Sequence, residues 1–551
     1  MAKKRQPLKT QMWTPPYYPI IFIRGYAMTE DDMEKTVETP YMGFNLGSTR
    51  LRQMPDGTVV RHYFESPLIR LMKDYDYRDV YTSGEMLSPD APLPYRSVVI
   101  YRYYDKGELT SLLGGEAAPL EIEPERASME DYALGLAGLI LRLRNRMCGS
   151  SKQFRVYLVG HSMGGLIIRC FLQNQKLRQR YISDGKVTEA LKVVDKVFTY
   201  ATPHNGIDLK WIGNVPEFLS ANNLDHFNRQ TMAKYLGLTD SQRVDNLNGA
   251  FDASHFFCLV GTDNRDYAVA KGLSRYFAGP MSDGLVRISN ATVFDRKSPT
   301  GPTVSAPRAF VHRSHSGPFG IVNSEEGYQN LRRFLFGDVR VDGILAVREL
   351  SLPDSVEKAK QKGKKIRASY HFEVVVSVRG CRWNLHRRVC EEESAVLRQF
   401  DEMFPKTGRR RNPHLFSAYL SSDERVDKDR ASLGFAVALK VRVPDYYIDG
   451  NFWNREHHEG STLFDQTIFL EATPPGKESD EWLVRYRISD GSRMRGPWDA
   501  SPSKIKKLEA ERMASKGNDK AIVYRIPLRS RSKPGMKATL RLICRPWNQQ
   551  T

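Results

Sequence analysis

The stretch Phe154-Arg155-Val156-Tyr157-Leu158-Val159-Gly160-His161-Ser162-Met163-Gly164-Gly165-Leu166-Ile167-Ile168-Arg169-Cys170-Phe171-Leu172 decides the fold. Its first six residues form the near-continuous apolar run that a parallel strand needs when both of its faces are covered. Its last seven read as the apolar-rich start of a helix. Between them lies G-x-S-x-G, with glycines where side chains would clash in a sharp strand-to-helix turn. Such a turn holds a serine hydroxyl clear of the sheet, and the amides at the helix start point toward any negative charge that develops beside it. Ser162 is therefore a candidate nucleophile, and the Met163 N–H a candidate oxyanion donor. A glycine-rich structural turn is the competing reading, and the strand before and helix after favour the first.

Outward from this turn, β-branched and aromatic runs alternate with helical patterns from the start to about residue 338. That alternation predicts an α/β domain with a mostly parallel sheet and helices on both faces. Candidate strands are Pro19 to Arg24, Ser97 to Tyr103, Arg155 to Val159, Val194 to Tyr200 and His255 to Val260. Tyr132, Leu136, Leu139 and Leu143 fall on one face of a helix just before the Arg155 strand. A last helix is expected after Asn323-Ser324, with Glu325 and Glu326 in its first turn and Arg332 and Arg333 in its last. Tyr328, Leu331 and Leu335 would form its buried stripe, and Gly337 is expected as a left-handed stop.

Beyond Gly337 the texture changes to alternating strands: Ile344 to Leu350, Tyr370 to Arg379, Leu433 to Val443, Thr467 to Ala472, Trp482 to Ile488, Ala521 to Pro527 and Ala538 to Cys544. The division predicts domains at 1–338 and 339–551, the second an all-β, sandwich-like domain. Two basic stretches in it, Lys358 to Lys365 and Ser530 to Lys537, read as exposed loops.

The 551-residue chain is long enough for two cores. No apolar run approaches the roughly 18 to 20 residues of a membrane helix. No signal peptide is read at Met1 to Thr10, and the six scattered cysteines suit thiols in a reducing compartment better than a disulfide framework. Cytoplasmic is the default expectation, with signal-independent export leaving no trace. The net charge is +19, of which residues 340 onward carry +13. That excess could favour an anionic membrane surface or a protein partner. Nucleic acid is disfavoured, because the arginines are interspersed with acids rather than stacked in a block, apart from Arg409-Arg410-Arg411.

At the Ser162 turn the chain resembles the lipase and esterase branch of the α/β-hydrolases, in particular the bacterial lipases and the GPI inositol-deacylase-like group, over roughly residues 15 to 338. Three further segments carry the resemblance. Pro19-Ile20-Ile21-Phe22-Ile23-Arg24-Gly25-Tyr26 looks like the family's early strand ending in His-Gly, which implies Tyr26 as the second oxyanion donor, although Arg24 stands where the family usually has histidine. Tyr200-Ala201-Thr202-Pro203-His204-Asn205-Gly206 is similar to the lipases' Thr-Pro-His-x-Gly segment, implying a structural or substrate-bordering His204. Ser282-Asp283-Gly284-Leu285-Val286 resembles the acid loop, whose aspartate orients the catalytic histidine.

A serine nucleophile needs a base within hydrogen-bond reach, and the base needs a buried acid. The family's order is Ser, acid, His. After Ser162 the domain holds His204, His226, His255, His312 and His315. The first precedes every good acid, His226 lies in a polar stretch, and His255 begins a strand. His312 and His315 remain, in the loop before the last helix, and His315, followed by Ser-Gly, fits the pattern better. Asp283 is preferred as the acid over Asp263, which follows the His255 strand and could instead form an Asx turn.

The resulting expectation is a carboxylic ester hydrolase acting on an acyl or lipid ester through Ser162, Asp283 and His315. An amidase, thioesterase or acyltransferase could use the same triad, and a non-catalytic scaffold is the reading from another class. Residues 207 to 253, with Trp211, Ile212, Val215, Phe218 and Leu219, read equally as a lid or as ordinary packing. Cys381, His386, Cys390 and His371 lack zinc-site spacing, so no metal is expected. No Walker loop or dinucleotide fingerprint is present, so no cofactor is expected.

Overall fold

The structure is a computed structural model that describes residues 14–25, 49–53, 59–63, 66–82, 85–86, 93–103, 127–148, 154–182, 185–207, 225–264, 281–298, 300–316, 320–408, 410–425, 432–448, 456–473, 482–489, 505–512, 521–530 and 533–548. The chain divides into two compact units, Met1–Arg308 with Arg313–Leu331, and Ala309–His312 with Arg332–Thr551.

Six strands of the first unit lie in one sheet: β1 (Ile20–Ile23), β2 (Arg78–Asp79), β3 (Ser97–Tyr101), β4 (Val156–His161), β5 (Val194–Tyr200) and β6 (Phe256–Gly261). The helices that flank the site are α1 (Met129–Cys148), α2 (Met163–Gln173) and α3 (Glu325–Phe336), and the division between units falls inside α3. The strands follow one another as β6-β5-β4-β1-β3-β2, every pair parallel. Parallel neighbours need crossovers, and the helices supply them. Alternation along the strands sends Ile21, Ile23 and Leu158 into one core with Leu136 and Leu139 of α1 and Leu166 and Ile167 of α2. On the opposite face the Tyr200 hydroxyl reaches the Gly327 carbonyl in α3. Both faces are covered, which is why the strands read as apolar runs.

The strand ends match the sequence expectation at Val194–Tyr200 and elsewhere differ from it by at most two residues. β4 extends to His161 because Tyr200 of β5 still pairs with it. His255 lies in a short 3-10 turn rather than in β6. Helix α3 begins with the Ser324 hydroxyl accepting from the Gly327 N–H, and Tyr328, Leu331 and Leu335 are buried as its periodicity predicts. Gly337 requires a correction: it is not among the residues of positive φ. A Cβ there would stand 2.4 Å from the Arg333 carbonyl oxygen and 2.8 Å from that of Leu420, so close packing explains the glycine.

The second unit holds two antiparallel sheets. One is ordered β11 (His414–Leu420), β7 (Val339–Leu350), β18 (Met536–Pro546), β17 (Ile522–Arg529), β16 (Glu511–Arg512). The other runs β9 (His386–Arg388), β8 (Ile366–Val378), β12 (Leu433–Ile448), β13 (Glu456–Thr473), β14 (Leu483–Ile488), β15 (Lys506–Leu508), with β10 (Val396–Gln399) also on β8. Val341, Leu345 and Leu540 from the first sheet share one core with Val374, Val437 and Ile468 from the second. Several strands are longer than their apolar runs. β12 alternates buried and half-exposed residues along most of its length, so the sequence pattern shows only its most apolar stretch. Lys358 to Lys365 is a second correction: its first residues lie in the helix α4 (Asp354–Gln361), which buries only Val356 and Ala359 and so leaves its lysine-rich face outside. In Ser530 to Lys537, strand β18 already begins at Met536.

Among the described residues no helix is long and apolar enough to cross a membrane.

Candidate active site

β1 and β4 are aligned so that Ile23 pairs with Gly160, and His161 at the end of β4 pairs with Tyr200. All three strands thus finish at the same edge of the sheet. One residue later the Ser162 N–H donates to the Tyr200 carbonyl (3.0 Å), and the chain turns with Ser162 at φ 51°, ψ −121° before α2 starts at Met163. A left-handed φ at a residue with a Cβ costs on the order of 1–3 kcal/mol and persists only where the surroundings enforce it.

Glycines make that enforcement possible. A Cβ on Gly160 would stand 2.7 Å from the Gly165 nitrogen, one on Gly164 2.2 Å from the Ile23 carbonyl oxygen, and one on Gly165 2.2 Å from Thr202 Oγ1. The turn is wedged between the end of β1 and the segment after β5, and no side chain fits at these three positions. Met163 is the first residue of α2, so its N–H has no acceptor within the helix and points out of the helix start beside Ser162.

His315 Nε2 lies 3.0 Å from Ser162 Oγ, and its Nδ1 lies 3.0 Å from Asp283 Oδ2. All three residues are buried, with exposures of 6% for Ser162, 3% for His315 and 1% for Asp283. The second oxygen of Asp283 accepts from the N–H groups of Leu285 (3.1 Å) and Val286 (2.7 Å), a turn that Gly284 permits with its φ of 97°. The carboxylate is thereby fixed with one oxygen left for the imidazole. The His315 N–H also donates to the Asp283 carbonyl (2.9 Å), so Asp283 and His315 are joined through main chain as well as side chain. The loop that carries His315 is braced by the Arg313–Glu326 pair at 3.0 Å, both nearly buried, which ties it to α3.

The other candidates are placed elsewhere. Asp263 is buried and donates its N–H to the Arg313 carbonyl (3.2 Å), while the carboxylate facing His315 Nδ1 is that of Asp283. His312 has a side chain 41% exposed, with Nδ1 3.8 Å from Glu392. His204 is fully buried, its Nε2 3.1 Å from Thr199 Oγ1 and its carbonyl accepting from the buried guanidinium of Arg169 (2.8 Å). Burial holds its pKa well below the ordinary histidine value, with the Arg169 charge adding to the effect. Arg169 also donates to the carbonyls of Val244 (2.6 Å) and Asn246 (3.2 Å), so a charged residue of α2 ties down both the His204 segment and the 244–246 segment.

Tyr26 lies outside the described residues, as do Trp211, Ile212, Val215, Phe218 and Leu219 of the candidate lid. Gly25, the residue before Tyr26, approaches the site closely: a Cβ there would stand 3.0 Å from the Ser162 Cβ.

Two features went unread in the sequence. The Arg313–Glu326 brace joins residues in different elements, and spacing gives no sign of it. His161 was visible only as the residue between a glycine and the serine, yet its Nε2 lies 3.0 Å from the His315 carbonyl oxygen.

Among the described residues no group of three or more His, Cys, Asp and Glu side chains is placed to hold a metal ion. Cys390 Sγ lies 3.4 Å from His371 Nδ1, Cys381 Sγ donates to the Trp383 carbonyl, and His386 packs edge-on against Phe310 and Phe416. Cys390 and His371 therefore meet each other, while Cys381 and His386 make their contacts elsewhere.

No known protein family matches the sequence, and no curated protein does. Solved structures that match include a protein assigned as a cell surface hydrolase of Lactobacillus plantarum WCFS1, 15% identical, covering 58% of this chain and 89% of that one with a TM-score of 0.21. An acetylxylan esterase is 15% identical, with coverage of 36% and 68% and a TM-score of 0.17. A truncated carbohydrate esterase from gut microbiota is 10% identical, with coverage of 59% and 86% and a TM-score of 0.23.

Proposed function

We propose that the chain is a serine hydrolase that cleaves carboxylic esters through an acyl-enzyme. The observation that carries this reading is the continuous relay Ser162 Oγ, His315 Nε2, His315 Nδ1, Asp283 Oδ2, with 3.0 Å at each hydrogen bond, on a serine held at a left-handed turn. His315 takes the hydroxyl proton as Ser162 attacks the ester carbonyl, and Asp283 fixes the imidazole tautomer and stabilises the imidazolium. The Met163 N–H and the N–H of Tyr26, which follows Gly25, receive the oxyanion. His315 then protonates the leaving alcohol, the acyl group stays on Ser162, and water repeats the sequence to release the acid.

The substrate class we assign is an acyl or lipid ester, with the basic excess of residues 340 onward favouring an anionic lipid surface. The test is hydrolysis of p-nitrophenyl esters of increasing acyl length, with and without anionic phosphatidylglycerol liposomes. Turnover that Ser162→Ala abolishes supports the hydrolase. Preference for long chains, strengthened by liposomes, supports the lipid ester, and short-chain preference indifferent to liposomes removes it. Turnover of amides or thioesters in place of oxygen esters would move the chain to the amidase or thioesterase alternative. A folded protein that turns over none of them would leave the scaffold reading.

A further inference from the structure

His161 is the last residue of β4, and its ring sits between two parts of the site. On one side Nε2 lies 3.0 Å from the carbonyl oxygen of His315. A carbonyl oxygen only accepts, so Nε2 must carry the ring proton and donate it. On the other side Nδ1 faces Gly25, where a Cβ would stand 3.1 Å away. The two imidazole rings, of His161 and His315, are 5.1 Å apart between centroids and tilted by 41°.

The protonation state follows from the surroundings. Burial of the ring, the neighbouring His315 and, more weakly, Arg24 push the His161 pKa down to about 3. The ring is thus neutral at any pH where the relay works, with its one proton on Nε2 and Nδ1 bare.

His315 is consequently held at two points by consecutive residues. The Ser162 hydroxyl meets its ring, and the His161 ring meets its main-chain carbonyl. Its main-chain N–H is taken by Asp283. Both backbone polar groups of the proposed base are therefore fixed, one by the acid loop and one by the turn that carries the nucleophile. Without the His161 donor the base loop would keep Asp283 but lose its tether to the turn. An error of about 1 Å between reacting groups costs on the order of 100-fold in rate.

From this geometry we infer that His161 is a positioning residue: a neutral imidazole donor that sets the distance between His315 and Ser162 by holding the His315 carbonyl. This rests on the hydrolase reading for its kinetic consequence, but not for its structural content.

Two variants test it on the full chain with p-nitrophenyl butyrate. His161→Leu fills the space without a donor, and His161→Gln keeps an N–H near the position of Nε2. The expected result is a kcat lowered about 10- to 100-fold in His161→Leu with KM within about twofold of wild type, and a kcat restored to within about fivefold in His161→Gln. A His161→Leu enzyme with wild-type kcat, or variants impaired equally whatever donor they carry, overturns the inference. A histidine-selective 15N spectrum, compared between the wild-type chain and His161→Leu, gives a reading that needs no activity. The wild-type spectrum should contain an imidazole with a bare Nδ1 and protonated Nε2, unchanged from about pH 8 to about pH 5, that His161→Leu removes while the signal of the buried His204 stays. If that signal is present and the wild-type chain hydrolyses nothing, the hydrolase reading falls while the His161 tether stands. If no such signal is lost with His161, the tether falls.

Discussion

His315 Nε2 stands 3.0 Å from Ser162 Oγ although 153 residues separate the two in the chain. The contact is produced by two independent devices: a glycine-enforced turn lifts the serine, and a loop pinned by Asp283, Glu326 and His161 brings the histidine to it.

His315 and His312 should behave oppositely. His315→Ala removes the group facing Ser162 and should lower kcat by at least about 1,000-fold. His312→Ala removes a half-exposed ring whose described partner is Glu392, and should leave kcat within about threefold. Steady-state kinetics of the two purified variants, with circular dichroism to confirm folding, checks the pair.

The two candidate acids should separate in the same way. Asp283→Asn keeps the size of the side chain but favours the wrong imidazole tautomer, and should lower kcat on the order of 10⁴-fold. Asp263→Asn should cost less than about tenfold. A larger loss in the Asp263 variant would reassign the acid.

Gly164→Ala should damage fold and activity together. Its Cβ would meet the Ile23 carbonyl oxygen at 2.2 Å, a backbone atom that cannot swing aside. Forced repacking costs about 1–3 kcal/mol, readable as a lower urea midpoint, and should displace Ser162 enough to abolish turnover.

Stability should fall as the solution is acidified through the ordinary histidine range. His204 is buried neutral with a pKa well below its usual value, whereas in the unfolded chain it binds a proton near pH 6.5. Below about pH 6.5 the unfolded state therefore holds one more proton than the folded state. Its share of stability is complete above that pH and is lost at about 1.4 kcal/mol per unit below it. Urea unfolding between about pH 7 and about pH 5 should show this slope added to the equal share of His161, whose pKa is also pushed down, and His204→Gln should remove about half of the total.

Much of this architecture can be read from the chain, and the exceptions have physical reasons. The Ser162 turn is legible because strand, glycines and helix are consecutive and each has a local signature. The parallel strands are legible because burial on both faces makes them continuous apolar runs. Antiparallel strands such as β12 and β13 are underestimated, because polar residues on one face interrupt the run. Gly337 misleads because the same residue type serves a left-handed cap and a close backbone contact, and only the neighbouring Leu420 carbonyl distinguishes them. Asp283 and His315 stand out through loop patterns and chain order, whereas the Arg313–Glu326 brace and the His161 tether exist only once distant segments meet.

The most direct measurement is labelling of the full chain with a fluorophosphonate probe, followed by intact-mass and peptide analysis. The account predicts one stoichiometric adduct on Ser162, absent from Ser162→Ala and strongly slowed in His315→Ala. A folded wild-type chain that takes no label, or takes it on another residue, would contradict it.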